Sequence, residues 1–157
     1  MFTINSFASK LGAVALVLGV TFASCSDDDD VSPVLRSKEF KLIKGLTDST
    51  QVGTVKISEN RDSSVNLTLT LSKTVKDTVN KVYVIKGTAT APVADSLFKG
   101  ALDLKGTGSA VTVDIWKNSK TYKYDSAVAN VSAFAKVRFS ATKDSLIAVG
   151  NILKAGK

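Results

Sequence analysis

Residues 64–72 alternate strictly, with Val65, Leu67, Leu69 and Leu71 set against Asn66, Thr68 and Thr70. Successive side chains of a strand point to opposite faces, so this repeat builds a strand with one buried and one wet face. A helix would scatter the same leucines around its circumference, so a helical bundle is excluded. Runs of the same kind occupy residues 38–45, 52–58, 81–87, 110–116, 133–140 and 145–152. Glu59-Asn60-Arg61-Asp62-Ser63 separates two of them and has the composition of a hairpin turn. Residues 95–104 read as a less regular strand or a short helix. Residues 124–130 read as one helical turn, because Ser and Ala there break the alternation. Seven or eight short strands divided by turns predict an all-β fold, an antiparallel β-sandwich with Greek-key connections, with a small β-barrel as the alternative.

The first thirty residues follow different rules. Lys10 precedes an apolar run from Leu11 to Val20, and small residues Ala23 and Ser24 precede Cys25, the only cysteine. This is the three-part order of a secretory signal. The apolar stretch is shorter than the roughly 20 residues that a membrane-spanning helix needs. Ala23-Ser24-Cys25 resembles the lipobox of bacterial lipoproteins, with Phe22 in place of the usual aliphatic residue. That resemblance implies removal of residues 1–24, a diacylglyceryl thioether on Cys25 and a further acyl chain on the new amino terminus. Two or more chains give stable anchoring where one is marginal. The following Ser26, Asp27, Asp28, Asp29 and Asp30 form a self-repelling, disordered tether through residue 35. They also resemble the acidic export signal of surface lipoproteins in the Bacteroidota, which implies the outer leaflet of the outer membrane.

Removing residues 1–24 leaves 20 Lys and Arg against 14 Asp and Glu, and four of those acids sit in the tether. The globule at residues 36–157 is therefore basic, with cations scattered as on a solvated surface. That balance favours anionic partners such as lipopolysaccharide or acidic glycans. No nucleic-acid reader motif is present, and nucleic acid is not an expected partner. Nothing in the sequence indicates an oligomeric state.

The order of elements resembles the chordin-type (CHRD) domain of bacterial lipoproteins over about residues 52–152. The matching stretches are Val52-Gly53-Thr54-Val55-Lys56-Ile57, the alternating strand from Ser64, Val82-Tyr83-Val84-Ile85-Lys86-Gly87 and Thr121-Tyr122-Lys123-Tyr124-Asp125. The last two strands match from Ala135 to Ser140 and from Ala148 to Ile152. The resemblance implies an immunoglobulin-like β-sandwich, extracellular and without catalysis. Family members often carry three histidines; the nearest positions here are Tyr83, Ile85 and Arg138, and the chain has no histidine.

Without histidine, and with Cys25 consumed by lipid, Ser-His-Asp, Cys-His and thiolate-metal chemistry are absent from the chain. Ser96-Leu97-Phe98-Lys99 matches the Ser-x-x-Lys of serine β-lactamases, but the companion motifs are missing and the chain is too short for that fold. Lys105-Gly106-Thr107-Gly108-Ser109 precedes a strand rather than a helix, so it is a turn and not a phosphate cradle. No residue set asks for a cofactor, and no enzyme activity is expected.

Two features rise above this background. Trp116, Lys117, Lys120, Tyr122, Lys123 and Tyr124 read as a hairpin that interleaves aromatics with lysines. They are candidate contacts for a glycan or polyanion, unless Trp116 and Tyr122 plug the core. The second is a recurring Asp-Ser/Thr pair. Five copies, at Ser49, Thr78, Ser96, Ser126 and Ser145, resemble the O-glycosylation motif of exported Bacteroidota proteins. Turn chemistry alone also favours such pairs, because Asp and Ser bond nearby backbone.

Overall fold

A computed structural model describes residues 35–97, 100–143 and 145–156. The signal, Cys25, Ser26, Asp27, Asp28, Asp29, Asp30 and the tether up to Val34 lie outside the described residues, as do Phe98, Lys99 and Asp144.

The strands are β1 (Ser37–Ile43), β2 (Gln51–Glu59), β3 (Val65–Leu71), β4 (Val79–Gly87), β5 (Pro92–Ser96), β6 (Leu102–Lys105) and β7 (Val111–Ser119). Helix α1 (Tyr124–Asn130) precedes β8 (Ser132–Arg138) and β9 (Leu146–Leu153), and a 3-10 turn, Lys154–Gly156, follows. All pairings are antiparallel. The hydrogen-bonded order is β5-β4-β8-β9-β1-β2-β3-β7, with β6 also on β4.

The expected all-β, antiparallel class is what forms. Its architecture is one continuous sheet curled as a half-barrel, between the sandwich and the barrel that the strand count suggests. Strands β1 and β9 share a single residue pair, Ile43 with Val149, so the sheet is creased there into two halves. Gly150 permits the close approach. A β-carbon on it would lie 2.2 Å from the Lys41 carbonyl oxygen and 3.0 Å from Leu42 Cδ2.

The strand at residues 64–72 forms as its repeat requires: Val65, Leu67, Leu69 and Leu71 are buried and the intervening residues half-exposed. Burying each such side chain contributes about 1.5–3 kcal/mol. They meet Leu42 and Phe40 of β1, Val55 and Ile57 of β2, and Val82 and Val84 of β4 in one core between the two halves. Helix α1 has seven residues and no side-chain cap, too little to be stable alone. Buried Ala127 and half-buried Tyr124 and Val128 pack it on that core.

The region 95–104 departs from the single element expected. It divides between β5, whose five residues are all exposed, and β6, with Gly100 at φ 91° between them. Pro92 cannot donate to a ladder, so it opens an edge strand, and a fully exposed strand carries no alternation to read.

Candidate functional site

The aromatic and lysine segment is not a hairpin. Strand β7 runs through Trp116 to Ser119, and the chain then turns directly into α1 at Tyr124. A bulge in the β3–β7 ladder sets Trp116 opposite buried Leu67, with buried Ile115 beside it. The bulge re-aims the indole toward the core side. Trp116 stacks on Tyr122 with ring centroids 5.4 Å apart and planes 26° from parallel, and both rings pack half-buried against the core.

Lys117, Lys120 and Lys123 are exposed around this pair, and Lys120 reaches 3.6 Å from Asp62. The strand is held at its end by an amide network. Asn60 donates to Ser64 Oγ and to Asn118 Oδ1, Asn66 donates to Asn60, and the Asn118 backbone N–H donates to Asn66. Hydrogen bonds from the Ser64 hydroxyl and backbone hold the Asp62 carboxyl below its usual range.

Tyr124 belongs to a different constellation. The guanidinium of Arg36, one residue before β1, lies 4.8 Å from its ring centroid. Arg36 Nε and Nη2 donate to Glu59 at 2.6 and 3.0 Å, and Nη1 and Nη2 donate to Asp125 at 2.8 and 3.2 Å. These bonds from Arg36 hold the Glu59 carboxyl below its usual range, against burial and Asp125. Burial pushes the Tyr124 hydroxyl up. Sequence reasoning missed this clasp, because its members lie 23 and 89 residues apart.

The Asp-Ser/Thr pairs are scattered: Ser96 ends β5, Ser126 lies in α1, and Ser49 and Thr78 lie in loops. Ser49, Ser96, Ser126 and Ser145 are exposed; Thr78 is half-buried and donates to the Val75 carbonyl at 2.6 Å. Ser96 donates to the Val84 carbonyl at 3.0 Å. Asp48 accepts from the Thr50 N–H, and Asp62 from the Ser64 N–H, as turn chemistry requires.

The two halves of the sheet differ on their outer faces. Over β1-β2-β3-β7 that face carries Lys41, Lys56, Asn66, Thr68, Thr70 and Thr112, all exposed or half-exposed. Over β4-β8-β9 it carries apolar side chains beside Lys136 and Arg138. Register places Tyr83 and Ile85 of β4 beside Lys136 and Phe134 of β8, and Lys136 beside Val149 of β9. Phe134 is 4% exposed and Val149 3%, although neither belongs to the central core.

Two adjoining clefts, of about 410 and 340 Å³, open on this face and share Ile85 and Pro92. Lys136 and Arg138 both lie over the Tyr83 ring, at 5.9 and 5.4 Å from its centroid. The sequence did carry a signal for this face. Val82-Tyr83-Val84-Ile85 and Leu146-Ile147-Ala148-Val149 are continuous apolar runs, the mark of strands covered on both sides.

No family model, curated protein or solved structure matches the chain, so the fold and these sites stand on their residues alone.

Proposed function

We propose that the chain is a non-enzymatic, surface-exposed lipoprotein, a binding or structural module held in the outer membrane by lipid on Cys25. The observation that carries this reading is Cys25 itself, with Ala23 and Ser24 and an apolar run before it and Ser26 with four aspartates after it. The domain is suited to life on a tether. Arg36, just before β1, is fastened to β2 through Glu59 and to α1 through Asp125. A pull on the chain ahead of β1 is thus shared with two other elements.

The non-enzymatic part is supported by residue types. There is no histidine, and the only thiol is taken by lipid. Glu59 and Asp125 are brought together, but Arg36 bonds both, and Glu59 is held below the ordinary range. A glycosidic general acid needs its pKa raised. In this reading the scaffold is CHRD-like and lacks the histidines of that family.

Protease shaving of intact cells tests the address. The wild-type domain is expected to be cleaved from the surface. A variant with Asp27 to Asp30 replaced by Asn should stay membrane-bound but protected. Protection of the wild-type chain in intact cells would refute surface exposure.

A further inference from the structure

The outer face of β4-β8-β9 is built as a groove. Tyr83, Ile85, Phe134 and Val149 line its floor, and Leu46 and Val93, 59% and 53% exposed, stand at its rims. Four adjacent strands, β5, β4, β8 and β9, at a spacing of about 4.8 Å give a floor roughly 14 Å across.

Three properties narrow what fits. First, β8 is paired along its length with β4 on one side and β9 on the other, so the floor presents side chains and no free backbone. An extended peptide laid there would bury N–H and C=O groups without partners, whereas a hydrocarbon chain has none to satisfy. Second, the apolar surface is concave, with Phe134 and Val149 at its bottom. A single chain can lie in such a groove; a flat bilayer needs protruding side chains.

Third, the charge next to the apolar floor is positive. Lys136 lies over Tyr83, and Asp95 in the other cleft is paired with Lys86. We propose that this groove binds a single-chain anionic amphiphile, a long-chain carboxylate. Its hydrocarbon lies along Ile85, Phe134 and Val149, and its carboxylate sits at Lys136. The site shares no residue with the lipid anchor and stands independently of it.

Calorimetric titration of the full chain carrying Cys25→Ala, which has no covalent lipid to compete, tests the site with hexadecanoate below its micelle concentration. Saturable binding at one per chain is expected, with the charge-reversed hexadecyltrimethylammonium binding at least about fivefold more weakly. Lys136→Glu and, separately, Val93→Asp should each weaken hexadecanoate about fivefold or more while leaving the melting temperature in place. Both side chains lie at the surface, so neither change disturbs the core. Absence of saturable binding would overturn the proposal, as would equal affinity for the two amphiphiles or undiminished affinity in both variants. Binding confined to phosphatidylglycerol vesicles would overturn it too, because it would mark a membrane-docking face instead.

Discussion

Gly150→Ala and Gly45→Ala make the same chemical change and should move stability in opposite directions. At Gly150 the new β-carbon would lie 2.2 Å from the Lys41 carbonyl oxygen, more than an ångström inside ordinary contact, and 3.0 Å from Leu42 Cδ2. The carbonyl belongs to backbone and cannot swing away, so β1 and β9 must part at the crease. The Ile43–Val149 pair is the one ladder pair they share there. Overpacking of this kind costs about 1–3 kcal/mol, and a weakened backbone hydrogen bond adds about 0.5–1.5 kcal/mol. The stiffer unfolded chain returns about 0.4–1 kcal/mol.

These terms leave a net loss of about 0.5–4 kcal/mol, or roughly 2–20 °C in melting temperature for a domain of this size. At Gly45 nothing lies within 4 Å of the added carbon, so only the unfolded-state effect remains. That variant should be stabilised by about 0.4–1 kcal/mol. Differential scanning calorimetry of the purified proteins reads both. A Gly150→Ala melt at or above wild type, or an equal loss at Gly45, would refute the crease as the point where the sheet depends on close backbone approach.

Two further outcomes follow from the same geometry. Glu59, Asp48 and Asp62 have carboxyls held below their ordinary values, the first by Arg36, the others by bonds from Thr50 and Ser64. Their stabilisation is complete above the unfolded-state values near ~4 and is lost as pH falls through the lower folded-state values. Denaturation midpoints should therefore fall from about pH 4 downward, and less steeply in Glu59→Gln, with an unchanged slope counting against the Arg36 clasp. Trp116 is the only tryptophan. Tyr122→Ala should shift its emission to longer wavelength and cost about 0.5–1.5 kcal/mol beyond lost area, whereas unaltered emission would contradict the stacked pair.

What was legible in the sequence depended on alternation. Strand β3 could be read residue by residue, because Val65, Leu67, Leu69 and Leu71 enter the core while Thr68 and Thr70 face water. Helix α1 was legible where Ser126 and Ala127 interrupt that pattern. Strand β5 was not, since all its residues are exposed and no burial selects them.

The hairpin expected at Trp116 became strand, turn and helix because a bulge against Leu67 extends β7 to Ser119. The amides that fix its end, Asn60, Asn66 and Asn118, are ordinary loop and strand residues until the fold joins them. The outer-face groove was written in the apolar runs of β4 and β9, whereas the Arg36 clasp exists only once residues distant in sequence meet.

The most direct test of the lipoprotein reading is mass spectrometry of the amino-terminal peptide from membranes of the native host. The expected result is a mature chain that begins at Cys25, carries a diacylglyceryl group and a further acyl chain, and disappears from membranes in Cys25→Ala. A chain that retains residues 1–24, or one with a free thiol at Cys25, would contradict it.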